Sequence, residues 1–137
     1  MEVTRRKPLT ANVGIVGVGH DTYWDQFPGL LDELMGYMKD FEELVEGCGV
    51  NTETFGMMDD AQSTYETLKK IKSADIDLLF VDMLTYATSS TWGIIAKEIE
   101  VPIVLVALQP LPAMDYSKAC TYMQLANDNI CSLPEFA

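Results

Sequence analysis

Short, almost wholly apolar runs that alternate with amphipathic stretches constrain this chain more than any other feature. Residues 12–18 (NVGIVGV) form a β-branched and glycine run without charge, the style of a parallel strand buried on both faces. Residues 76–83 (IDLLFVDM) and 103–108 (IVLVAL) repeat that style, the last of them the most apolar. Residues 50–55 offer a further strand, which Asn51, Thr52 and Glu53 mark as an edge.

Between these runs the hydrophobic period changes to that of a helix. Over residues 25–46, Leu30, Leu31, Leu34, Met35, Met38, Phe41, Leu44 and Val45 recur at three- and four-residue steps. Gly47 and Gly49 end that helix, as glycine does at a C-terminus. Asp59 or Asp60 supplies the N-cap of the next, with Tyr65, Leu68 and Ile71 on one face and Lys69, Lys70 and Lys72 near its end. Residues 88–90 cap a helix to about Ile99 with Trp92, Ile95, Ala96 and Ile99 inward, and a last helix is expected near 117–127.

Strand and helix alternating at this spacing call for right-handed crossovers and an α/β doubly wound parallel sheet with helices on both faces. Likeness to flavodoxin-like proteins suggests at least four strands in the order 2-1-3-4. Residues 1–11 then form a polar lead-in and 12–137 a single α/β domain. An edge as apolar as 103–108 is an aggregation hazard if bare, so a fifth strand or a partner is expected to cover it. That expectation makes the chain the N-terminal part of a longer polypeptide.

Charge narrows the classes of partner. Against 9 basic residues stand 21 acidic ones, a net charge of -12 that repels phosphate backbones and anionic headgroups. No nucleic acid and no membrane surface is therefore expected, whereas a neutral ligand or a cation is compatible. Residues 13–18 are too few for a signal-peptide core or a membrane span. Cys48, Cys120 and Cys131 lack any C-x-x-C spacing and read as reduced, mostly buried thiols of a cytoplasmic protein.

Ligands of an open parallel sheet bind beyond the carboxyl ends of its strands. Residues 17–24, 55–60, 83–92 and 109–116 should meet there, bringing together His20, Tyr23, Trp24, Thr85, Tyr86, Ser89, Ser90, Gln109 and Tyr116. Familiar chemistries fail on spacing. GIVGVGH runs G-x-x-G-x-G, the reverse of a dinucleotide fingerprint. His20, the only histidine, makes no metal site by itself, and Asp21 beside it is expected to point elsewhere. No serine–histidine–acid set with a nucleophile elbow is present, and no acidic pair follows the first strand as a phosphorelay receiver requires.

The loops do resemble one family. IVGVGHDTYW before a long helix resembles the start of the L-arabinose isomerase / L-fucose isomerase family, with His20 and Tyr23 at its His and Tyr positions. LTYATSSTW resembles the family's H-T-F-S-x-x-x-x-W segment and matches Thr85, Tyr86 and Trp92 to it. PIVLVALQPLPAMD resembles P-L-L-x-x-x-x-Q-x-x-x-x-L-P, which places Gln109 on the Gln directed towards the sugar, and MQLANDN resembles M-N-L-N-Q. Trp24 stands where the family has Gly, Leu84 where it has His, and the histidines after Gln109 and Asn127 are absent. A divergent member is implied.

That resemblance implies an aldose–ketose sugar isomerase whose divalent metal, usually Mn²⁺, is held by Glu and His of later domains. A metal of this kind polarises O1 and O2 while a carboxylate moves a proton between C1 and C2. This chain would hold neither catalytic nor metal-ligating residues and would be inactive alone. It would lend His20, Tyr23, Tyr86 and Gln109 to a sugar pocket across the interface of a homo-oligomer, a trimer or hexamer. Two other readings stay open: a non-enzymatic sugar-sensing module, and an unrelated flavodoxin-like binder of small ligands.

Overall fold

The computed structural model describes residues 9–127 and 130–137. In chain order the elements are β1 (Asn12–Val18), α1 (Thr22–Gln26), α2 (Leu30–Glu46), β2 (Asn51–Met58), α3 (Ala61–Ser73), β3 (Leu78–Met83), α4 (Ser89–Glu98), β4 (Ile103–Val106), α5 (Thr121–Asn127) and α6 (Leu133–Phe136). The four strands form one parallel sheet in the order β2-β1-β3-β4. The expected architecture and strand order are both present.

Alternation along each strand feeds two cores. Val16 and Val18 of β1 and Leu79, Val81 and Met83 of β3 face α3, α4 and α6, where Leu68, Ile71, Trp92, Ile95 and Phe136 close over them. Val13 and Ile15 face α2 and α5, against Leu30, Leu34, Met38, Phe41 and Val45, with Leu125 and Ala126 beyond. Each such buried aliphatic side chain stabilises the fold by about 1.5–3 kcal/mol relative to exposure. Phe41 and Phe80 meet edge to face, with ring centroids 5.3 Å apart.

Several local expectations need correction. The helix expected over 25–46 is two helices, because Pro28 withholds a backbone donor and Gly29 turns the chain at φ +88°. Leu44 and Tyr65 point outward, at 64% and 55% exposure, and Ala96 is exposed as well. In α3, Thr64 and Thr67 fill the inner face beside Leu68 and Ile71. The last long helix begins at Thr121, not near Ser117, and β4 stops at Val106. Cys48, Cys120 and Cys131 are all exposed, contrary to the expectation of buried thiols.

The two edges of the sheet differ. On β2, one extra residue opposite Val16 introduces Gly56 at φ +83°, and Glu53 lies exposed beside it. A bulge and a charge are the usual protections against edge-to-edge pairing. β4 has neither: it is four apolar residues long, and Val104 is 42% exposed. Among the described residues nothing pairs with its outer side.

Candidate functional site

The chain leaves β1 through Gly19, whose N–H donates to the Met58 carbonyl at 3.0 Å. Asp21 N–H then donates to the Asp59 carbonyl at 3.1 Å, and Leu84 N–H to the Val18 carbonyl at 3.3 Å. The ends of β1, β2 and β3 therefore lie side by side, at the edge where strand order reverses between β1 and β3. A Cβ on Gly19 would lie 3.0 Å from the Trp24 ring, so glycine lets the indole settle over the loop.

Trp24 anchors the next layer. Its Nε1–H donates to Asp59 Oδ2 at 2.6 Å, and Ser63 Oγ donates to Asp59 Oδ1 at 2.7 Å. Asp60 completes a capping box with Ser63 at the start of α3. The backbone N–H of Ser63, first among its partners, holds the Asp60 carboxyl below its ordinary value. Asp60 thus serves as the expected cap, and Asp59 does a different job.

His20 and Tyr23 are brought together on this rim, with ring centroids 5.4 Å apart. His20 Nδ1 lies 3.1 Å from Asp21 Oδ1, so Asp21 points at the histidine and not away from it. Asp21 can do so because its carboxylate turns back to accept the Thr22 N–H at 2.8 Å as the cap of α1. The Thr22 N–H also approaches His20 Nδ1, at 3.4 Å, and the histidine side chain is 31% exposed. Tyr23 also meets Phe27 and Trp24 edge to face, so the rim is aromatic as well as polar.

Tyr86 lies on the neighbouring loop after β3, half-buried between two tethered residues. Thr85 Oγ1 donates to the Leu125 carbonyl of α5 at 2.7 Å, and Ala87 N–H donates to Ser132 Oγ at 2.9 Å. Beyond them Glu135 accepts the Ser89 N–H at 3.1 Å, and Trp92 stacks on Phe136 at 5.8 Å. The first three loops thus leave adjacent strand ends. Gln109 takes another direction, into a groove of about 220 Å³ beside α2, lined by Tyr37, Phe41, Leu44, Leu108 and Pro110.

Asp82 belongs to none of the motifs that the sequence suggested. It is 3% exposed in β3, and among the described residues nothing hydrogen-bonds its carboxyl. Burial pushes that carboxyl up to about 7. A lone acid inside an apolar strand was the available signal. Among the described residues no three His, Cys, Asp or Glu side chains gather closely enough to hold a metal ion, so these donors do not fit a resident Mn²⁺. No helix among them is long and apolar enough to cross a membrane. No family model and no curated protein matches the chain.

Proposed function

We propose that this chain is the N-terminal substrate-pocket and oligomerisation domain of a cytoplasmic, metal-dependent aldose–ketose isomerase of the L-arabinose/L-fucose type. The observation that carries the reading is the His20–Asp21–Tyr23 cluster on the carboxyl rim, next to the reversal of strand order. An imidazole beside a phenol and an aromatic face suits the hydroxyls and C–H faces of a neutral sugar. Tyr86 sits on the adjoining loop, and the same two loops carry the family resemblance. Gln109 would reach the sugar only after its segment leaves the α2 groove.

In this reading the proton transfer and its Mn²⁺ belong to residues outside this chain, and this domain binds and orients. The bare β4 edge supports a role in homo-oligomer assembly. The test is an isomerisation assay of the intact protein with aldopentoses and aldohexoses and Mn²⁺, following ketose formation. His20→Ala and Tyr23→Phe should raise KM about tenfold or more, as loss of one or two hydrogen bonds to a bound hydroxyl requires. Conversion of none of these sugars would sink the enzyme reading, and sugar binding without turnover would favour a sensing module.

A further inference from the structure

Asp82 has an ionisable side chain and is only 3% exposed. Alternation along β3 puts it on the face of Leu78 and Phe80, towards α2 and α5. In register it is flanked by Gly17 on β1 and Val106 on β4. Gly17 offers no side chain, and the space its Cβ would take is already filled by Leu84 Cδ1, Met38 Sδ and Met57 Sδ. Phe80 precedes the acid on its own face and Leu84 follows it, and among the described residues no side chain donates to the carboxyl. A buried carboxylate without a partner is among the costliest groups a core can hold.

α5 is the loosest part of the cover over that face. It hangs on residues 107–120, which contain no helix or strand and are mostly exposed. Leu125 and Ala126 are buried, and among the described residues its hydrogen bonds to the rest are Thr85 Oγ1 to the Leu125 carbonyl, Tyr122 OH to Glu33 Oε2 at 2.7 Å, and Leu111 N–H to Asn127 Oδ1 at 3.3 Å. By contrast α2 places five side chains in that core. An element so attached can lift without unfolding the domain.

We propose that Asp82 and α5 form a proton-sensitive flap: the neutral carboxyl keeps α5 seated on the sheet, and the carboxylate lifts it to admit water. The inference does not rest on the sugar-binding reading. β1 and β4, the strands beside Asp82, carry no ionisable residue. α5 carries only Tyr122, and α2 carries Glu33, Tyr37 and Asp40 along its side towards Tyr122 and the groove. The other charged residues of α2 are Asp32, Lys39, Glu42, Glu43 and Glu46. Lys39 pairs with Glu43, and Glu42 and Glu46 accept from the β2 threonines. Desolvation alone raises the Asp82 carboxyl, so none of these charges sets its behaviour.

Because the seated state holds the proton more tightly than a solvated carboxyl, its advantage is complete at low pH. It declines as pH rises from the ordinary carboxylate range to about 7 and is level above that. Amide hydrogen exchange on the intact protein from pH 5 to 9 tests this. Protection of the amides of α5 should fall about tenfold per pH unit up to about pH 7 and then plateau, while α3 and α4 hold constant. Asp82→Asn should abolish that dependence. A uniform loss of protection over all helices, or an unchanged profile in Asp82→Asn, would overturn the proposal. Should the variant fail to fold, carbon-13 titration of the wild-type carboxyl beside the α5 exchange profile decides: α5 protection that follows the carboxyl upholds the proposal, and protection that ignores it overturns the proposal.

Discussion

The indole of Trp24 crosses from the first loop to the end of β2, where its Nε1–H donates to Asp59 Oδ2 at 2.6 Å. The same carboxylate holds Ser63 of α3, so one acid joins the β1 loop, the end of β2 and the next helix. The rim carrying His20 and Tyr23 is thereby fastened to the sheet at a point outside β1.

Removing the indole donor leaves a half-buried carboxylate short of a partner. Trp24→Phe should destabilise the fold by about 1.5–3 kcal/mol, the range for a hydrogen bond to a charged group. Denaturant unfolding of Trp24→Phe, Asp59→Asn and the double variant measures the coupling. Additive effects would show that the two side chains merely lie close.

Gly14 opens GIVGVGH, whose order reverses a dinucleotide fingerprint, and it is buried within β1. A Cβ there would lie 2.8 Å from Phe55 Cε2 and 2.9 Å from Ile76 Cδ1. Gly14→Ala should therefore cost about 1–3 kcal/mol by overpacking. Gly36 in α2 has nothing within 4 Å of the same position, so Gly36→Ala should stabilise by about 0.5–1 kcal/mol. Thermal melts of both variants check the opposed signs; a destabilised Gly36→Ala would refute the helical argument.

The fold is legible because each element carries a local pattern: β1 is a short apolar run without charge, and the apolar residues of α2 recur at three- and four-residue steps. Residues 25–46 were misjudged because the apolar period of Leu30 to Val45 masks the break that Pro28 and Gly29 impose just before it. The site was only half readable. His20 and Tyr23 share a loop, so their meeting follows from sequence proximity. The reach of Trp24 to Asp59 and the isolation of Asp82 depend on tertiary packing, which periodicity does not encode. Gln109 escaped for the same reason: β4 ends three residues earlier, and the chain turns onto α2.

The contrast between the edges predicts where copies would meet. Placing a charge on β4 opposes burial of that strand against another, at about 2 kcal/mol or more once the charge is desolvated. Val104→Lys should leave the monomer folded, since the side chain is already 42% exposed. Sedimentation velocity of the intact protein should show a smaller assembly for this variant. An unchanged mass would place the interface elsewhere.

Glu33 accepts from two phenols, Tyr37 at 2.6 Å and Tyr122 at 2.7 Å, and so ties α2 to α5. Burial first, then Glu33, pushes Tyr37 up to about 12; the hydrogen bond to Glu33 is the main cause of a rise at Tyr122. A phenol that ionises later in the folded state than in the unfolded one contributes stability that is complete below pH 10. That contribution is lost as pH climbs from 10 to about 12. Ultraviolet titration of the folded protein should therefore find Tyr37 and Tyr122 ionising late. Tyr37→Phe should remove the latest step and flatten the loss of stability over that window, although the neutral-pH hydrogen bond is gone. Tyr37 titrating near 10 in the folded protein would break the link between Glu33 and both helices.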